Sequence, residues 1–530
     1  MKSLSPPLKF SVALLLIGVS ILTIRCQSSS THSIVENSEA ITLSKTEFHD
    51  KMKGAWAGQV IGVTFGFPVE FKFNSEIIPD SVQLVWHDSL IHQTYRDAAG
   101  AYDDIYVDLS FLNTYKRNKN ASAKDYALGF SSASFDLWFA NQVARNNIRN
   151  GINPPAAGHW LTNPECTSID FQIEADFIGL LYPGQADKAL ALADSIGHIM
   201  AYGDGYYGGV FISQMYAEAF VNNDISAIIQ KGLAPIPSEA LFHKMITDVV
   251  NFHATNPTDW KACWKFINDK YEDENGSPFG VKDPWNIEAS MNSCHVVTGL
   301  LYGNDDFEQS IEIATRCGND ADCNPATVAG ILGTIHGYDW IPKAYTSPLS
   351  KVKEMKFLST DYTLDDAIET TEALALELLD TNNNVISIIK TDAPMCALEI
   401  ARPNHHVKER INYDEVTNLF EEDLNVPFSG NGIVLFGKIS DNRIQSDYQF
   451  EADSTTVDVF IDGSFQKNIT YPVSFENRKF ITYYNFELPE GEHNVELKCT
   501  DPLANFSFDM WMHVVYTSQQ PEAQLAVTVK

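Results

Sequence analysis

The chain has 530 residues, 44% hydrophobic and 20% charged, a globular composition with length enough for two or three domains. Its formal net charge of −32 repels nucleic acid phosphates and anionic head groups, so no nucleic acid partner is expected. Cys166, Cys263, Cys294, Cys317, Cys323, Cys396 and Cys499 follow Cys26 with no CxxC pair, which argues against a disulfide framework.

Lys2 and Lys9 precede an apolar run from Phe10 to Ile24 that is too short for an ordinary membrane span, so residues 1–26 read as an export signal. Cys26 and the small polar tract Gln27–Ser30 resemble a bacterial lipoprotein site, although Arg25 stands where a small residue is usual. The expected location is periplasmic or outer-membrane-anchored, with a lipidated Cys26 as membrane tether or with cleavage alone. Removing Lys2, Lys9 and Arg25 takes the mature charge to about −35.

From 42 to 383 apolar residues recur at spacings of three and four between loops rich in Gly, Pro, Asn and Asp, as in Asp187–Tyr202 and Ala326–Tyr338. No strand-like alternation persists there, which predicts an all-α domain. Residues 384–415 are polar and mixed and read as a linker, with His405 and His406 solvated. Over 416–520 the period becomes two, as in Val457–Ile461 before the turn Asp462-Gly463. Further strands are predicted at 432–439, 480–488, 495–499 and 506–516, with Pro489-Glu490-Gly491 closing a hairpin, and together they suggest an antiparallel β-sandwich.

Two acidic pairs stand at helix starts. Asp103-Asp104 leads into Ile105–Tyr115, and Asp320-Ala321-Asp322 leads into the small-residue stretch Ala326–His336. Free N–H groups at a helix start partly neutralise such carboxylates, and each pair alone reads as a cap. Brought together, the pairs would repel strongly unless a hard cation such as Mg²⁺ or Ca²⁺ joined them.

These motifs fall in an order that resembles the ADP-ribosylglycohydrolase family. Gly54-Ala55-Trp56-Ala57-Gly58 through Gly62 and Gly66 is similar to its glycine-rich first helix, and Pro68-Val69-Glu70-Phe71 to the element after it. Asp103-Asp104 matches the first metal motif. Glu174-Ala175-Asp176, Pro183-Gly184 and Gly203–Gly209 resemble the middle blocks, and Cys317–Gly330 the last.

The resemblance implies an orthogonal helical bundle whose cleft holds one or two divalent ions, usually Mg²⁺, with Ca²⁺ or another ion as alternatives. Asp103, Asp104, Asp320 and Asp322 would be the ligands. Glu70 would be a further ligand or the acid/base, and Glu70, Asp104 and Asp320 the catalytic set. Tyr102 and Cys323 depart from the family's usual Thr or Ser, and a thiol suits a hard cation poorly, which leaves one metal position lost, reshaped or filled by Ca²⁺.

Substrate contacts are expected from Asn163, Glu174, Asp176, Gly205, Tyr207 and Asn319. Glu174 and Asp176 lie two apart, so on a helix only one can face a cleft. Gly205–Gly209 reads either as a stacking loop or as a turn with buried tyrosines. The loop from Gly151 to Trp160, with Asn163 and Glu165 beyond, suits a lid or rim. Tyr483, Tyr484 and Trp511 are candidate sugar contacts on the sandwich, with Trp511 expected in its core. No HExxH, GxSxG or Walker sequence occurs. The expected activity is metal-dependent cleavage of a glycosidic bond in a glycan, glycoside or nucleoside-like substrate. ADP-ribose release from a modified acceptor and glycan binding without turnover are the alternatives.

Overall fold

The computed structural model describes residues 40–272, 276–442 and 454–520; Cys26 and the apolar run before it lie outside them. Among the described residues no helix is long and apolar enough to cross a membrane.

The helical domain is built on two apolar helices, Lys45–Gly66 and Cys323–His336. Ser44 caps the first, its Oγ accepting from the Glu47 N–H at 3.1 Å. Gly54, Gly58, Gly62 and Gly66 recur every fourth residue and form one bare ridge of that helix. A Cβ at Gly58 would collide with the Ala329 carbonyl, and one at Gly66 with the Ala321 carbonyl. The two backbones therefore touch, and the ridge leads from the core straight to the second acidic loop. The two helices and their neighbours share one large apolar cluster that includes Trp56, Val60, Ile331 and Leu332.

Strand character does occur at the ends of the helical region. Strands β1 (Ile41–Ser44), β2 (Asp380–Asn382) and β3 (Val385–Ile388) form an antiparallel sheet in the order β1-β3-β2, which clips the two ends of the domain together.

The second part is an antiparallel β-sandwich. Strands β4 (His406–Asn418), β5 (Leu424–Gly430), β6 (Gly432–Asp441), β7 (Ser454–Ile461), β8 (Ser464–Pro472), β9 (Ile481–Asn485), β10 (Gly491–Cys499) and β11 (Phe506–Thr517) form two sheets, β5-β10-β7-β8 and β4-β11-β6-β9. Asp462 and Gly463, both at positive φ, make the two-residue turn between β7 and β8. Pro489–Gly491 does not close a hairpin: β9 pairs with β6 and β10 pairs with β5 and β7, so the chain crosses between sheets at that point. Ile433 and Leu435 face the core between the sheets, whereas Val434 and Phe436 face the helical domain. Burial on both faces explains the unbroken apolar run of β6.

Residues 389–405 are not a free linker. Tyr207 Oη donates to the Ala397 carbonyl at 2.8 Å and accepts from the Glu399 N–H at 2.6 Å. The buried Arg402 guanidinium donates to the carbonyls of Pro164 and Gly276. His405 is 8% exposed and meets the Phe486 carbonyl at 2.8 Å, which corrects the expectation of a solvated residue. Trp160 packs between the rings of His405 and Phe486, so the 151–160 loop serves the domain interface rather than a lid.

Because the helix pair leaves no room for a side chain, Gly58→Val should destabilise the chain by about 3 kcal/mol or prevent folding. Gly491→Ala, where nothing lies within 4 Å of the new atom, should change stability little. Chemical denaturation midpoints check both.

Candidate metal centre and cavity

The two acidic pairs, more than 200 residues apart in sequence, meet. Asp103 and Asp104 open the helix Asp103–Arg117, and Asp322 caps the helix Cys323–His336, its Oδ1 accepting from the Cys323 N–H at 3.0 Å. Cys323 Sγ donates to Asp104 Oδ1 at 3.2 Å and so bridges the pairs. Ligand atoms of Asp103, Asp104 and Cys323 lie within 4.8 Å of one another, as do those of Asp320, Asp322 and Cys323.

The loop before Asp320 is held by backbone that only particular residues adopt. Gly318 (φ 78°) and Asn319 (φ 55°) are consecutive left-handed residues, and a Cβ at Gly318 would collide with the carbonyls of Phe73 and Glu76. Asn319 is a staple rather than a substrate contact. Its N–H donates to Phe73 O at 3.0 Å, its carbonyl accepts from Phe71 N at 3.2 Å, and its Oδ1 accepts from Ser75 N at 2.8 Å. Those bonds hold the Glu70 loop beside Asp320.

The cluster is short of positive charge. Burial first, then the charges of Asp320 and Asp103, pushes the Glu70 carboxyl up to about 9. Burial and Asp320 push Asp103 up to about 7. Burial raises Asp320 above its ordinary value, and burial with neighbouring carboxylates holds Asp104 and Asp322 well above theirs. Asp320 Oδ1 is buried without a hydrogen-bond partner among the described residues. A set of oxygen donors with an unsatisfied atom and mutual repulsion fits a divalent cation. The thiol at 323 sits inside the cluster, while Tyr102 turns away: its hydroxyl pairs with Thr64 Oγ1 at 2.7 Å and its ring packs on Tyr95.

The cluster floors a cavity of about 700 Å³. Glu70, Asp103, Asp136, Asp170, Glu174, Asp320 and Asp322 line it, and among the described residues Lys438 is the one cationic member of its lining. Glu174 accepts from Asn141 Nδ2 through Oε1, and its Oε2 is buried without a partner. Asp170 accepts from the Asn141 N–H at 3.1 Å. Burial, and for Glu174 the nearby Asp170 charge, raises both carboxyls, Asp170 to about 7.

The walls are aromatic. Phe71 (φ 48°) and Phe139 (φ 41°) hold left-handed backbone, uncommon for bulky residues, and their rings pack 4.8 and 4.9 Å from that of Trp285. Phe279 completes this wall, 5.0 Å from Trp285.

Of the six expected contacts, Glu174 lines the cavity and the other five, Asn319 among them, do not. Asp176 accepts from Tyr216 Oη at 2.9 Å and faces Asp108 in the core. Asn163 donates to the carbonyls of Ala140 and Met200, both at 2.9 Å. Gly205 and Tyr207 belong to the buried helix Asp204–Ala219, where Gly205 abuts the Cys166 carbonyl. Asp136, Asn141, Asp170 and the aromatic walls escaped sequence reading. Asp170 alone left a signal, four residues before Glu174 on one helical face.

The ADP-ribosylglycohydrolase family model matches residues 44–382. The chain belongs to that family. An ADP-ribosylglycohydrolase is a glycohydrolase of a typically divalent-metal-dependent kind, and the acidic cluster here is a candidate metal site. A solved structure titled "ADP-ribosylglycohydrolase-related protein complex" is similar at 14% identity and a TM-score of 0.43, covering 62% of this chain and 98% of that chain. No curated protein matches the chain.

The raised carboxyls fix a sign. Glu70 and Asp103 hold protons more tightly folded than at their ordinary values of 4.5 and 3.8, so the metal-free fold binds extra protons up to about pH 9 and about pH 7. Its stability therefore falls as pH rises through that window. Thermal melts of metal-free chain should lose Tm from about pH 5 to about pH 9, with saturating Mn²⁺ restoring most of the loss. Asp322→Asn should raise the metal-free Tm and remove the response to Mn²⁺. A metal-free Tm that climbs with pH contradicts the convergence of charge.

Proposed function

We propose that the chain is an exported, divalent-metal-dependent hydrolase that cleaves the glycosidic bond of a neutral glycan, glycoside or nucleoside-like substrate. The observation that carries this reading is the cavity lining: a carboxylate floor, aromatic walls and, among the described residues, Lys438 as the single cation. Polyhydroxylated rings offer hydroxyls to carboxylates and C–H faces to aromatic rings. An ADP-ribosyl acceptor brings a diphosphate, for which the described part of the lining supplies one lysine, so ADP-ribose release is the second reading, favoured by family membership alone.

Asp103, Asp104, Asp320 and Asp322 would hold the cation, with Cys323 at its edge. A bound divalent ion would chelate sugar hydroxyls, stabilise developing charge and lower the pKa of a water. Glu70, whose carboxyl is raised by burial and acidic neighbours in the metal-free chain, would act as the acid/base, passing a proton to a leaving-group oxygen and recovering one from the attacking water. Glu174 Oε2 and Asp170 Oδ2, buried and without a partner among the described residues, would exchange hydrogen bonds with substrate hydroxyls. The Phe71, Phe139 and Trp285 rings exclude water on one side. Export rests on the Lys2 and Lys9 charges before the Phe10–Ile24 run, and a tether on Cys26.

Assays of the purified chain on neutral aryl glycosides, oligosaccharides, nucleosides and ADP-ribosylated protein should show release of a neutral sugar that EDTA abolishes and Mn²⁺ restores. Asp320→Asn and Glu70→Gln should each lower kcat by at least about a hundredfold. Release of ADP-ribose instead would establish the second reading. Sugar binding without turnover on every substrate would make the chain a glycan-binding protein.

A further inference from the structure

The cavity is not built by the helical domain alone, because three adjacent strands of the sandwich, β11, β6 and β9, contribute Trp511, Lys438 and the residue before β9, Phe480. Trp511 is the residue skipped in both ladders of β11: pairing with β4 and with β6 passes from Met510 to Met512. Against β6, where Met510 and Met512 face the consecutive residues Gly437 and Phe436, it is the extra residue of a β-bulge, a device that re-aims a side chain out of the pleat, whereas on the other side the surplus residues belong to β4. Met510 packs in the core between the sheets and Met512 against the helical domain, while Trp511 lines the cavity.

Phe480 lies beside it, and Lys438 of β6 lines the same cavity. Phe480 meets Trp511 edge-on at 6.1 Å and stacks on Trp138 at 6.2 Å with 21° between planes. Trp138 is 38% exposed and precedes the left-handed Phe139 of the opposite wall. Arg478 fixes this meeting of domains. Its guanidinium lies 4.2 Å from the Trp138 ring centroid and 5.3 Å from that of Phe480, donates to the Leu137 carbonyl at 2.7 Å and sits 3.9 Å from Asp136. The loop carrying Asp136 and Trp138 is therefore pinned to the sandwich.

The geometry points to a second sugar subsite, formed across the domain boundary by Trp138, Phe480 and Trp511 with Lys438 at its rim, which receives a neutral sugar ring of the substrate beyond the one held at the carboxylate floor. This rests on reading the cavity as a glycoside site and adds where specificity is set. Planar rings lining a cavity suit the C–H face of a pyranose, and Lys438 can donate to its hydroxyls. The sandwich, on this inference, is a wall of the active cavity and not an appended binding module.

The test uses the full-length chain, with Trp511→Ala, Phe480→Ala and the ring-keeping Trp511→Phe. Neutral di- and trisaccharides of glucose, xylose, galactose and N-acetylglucosamine are titrated by calorimetry, and Mn²⁺ is titrated into the same proteins. At least one sugar should bind wild type, with affinity lowered about tenfold or more in Trp511→Ala and Phe480→Ala and within about threefold in Trp511→Phe. Mn²⁺ affinity should stay within about twofold in all three, which shows that the fold and floor are intact. If none of the sugars binds wild type, or if the alanine variants bind as wild type does, the subsite is overturned. Ring-dependent sugar binding without any hydrolysis would leave the subsite standing and remove the hydrolase reading instead; hydrolysis with unaltered binding in the variants would do the reverse.

Discussion

The fold concentrates like charge where water is scarce. Two unit charges 4 Å apart repel by about 4 kcal/mol even at an effective dielectric of about 20, and here Glu70, Asp103, Asp104, Asp320 and Asp322 gather at one end of a packed helix pair. Without a cation, such a cluster persists only by holding protons. A cation removes that demand and fixes the carboxylates for chemistry, so the cluster reads as a site held in wait by the packing around it. The chain tolerates the strain because the elements that carry it are rigid.

That rigidity comes from the glycine ridge. Gly54 through Gly66 bring one backbone onto another with no side chain between, and the helix Lys45–Gly66 ends where the Glu70 loop begins. Gly318 and Asn319 then lock that loop to Asp320 by three hydrogen bonds. Small changes in helix spacing are thereby excluded, and the acid/base candidate cannot drift from the ligands. Phe71 and Phe139 add local backbone strain that sets their rings on Trp285.

Much of this was legible in residue order. Four glycines at one spacing, two acidic pairs each opening a helix, and a switch to a hydrophobic period of two over 416–520 locate the helical bundle, the floor of its cavity and the sandwich. Burial was not legible. Asn163, Asp176 and Tyr207 are polar residues in plausible motifs, yet each satisfies a partner inside the core, and only the tertiary structure reveals the partner. Pro489–Gly491 carries turn chemistry, but whether a turn joins neighbours or changes sheets depends on pairing partners distant in sequence. Trp511 stands in an apolar strand and was assigned to its core; one bulge residue moved it to the cavity, and a bulge leaves no mark in a period-two pattern.

Two domains of different construction thus share one cavity, the helical part supplying charge and the sandwich supplying part of the aromatic surface. The claim on which the chemistry depends is that one cation site lies between the two acidic pairs. An anomalous difference map from crystals grown with Mn²⁺ tests it most directly. The account predicts a peak within bonding distance of carboxylate oxygens from both pairs, Asp103 or Asp104 on one side and Asp320 or Asp322 on the other. A map with no peak there, or with the manganese held by one pair alone while the other lies apart, would contradict it.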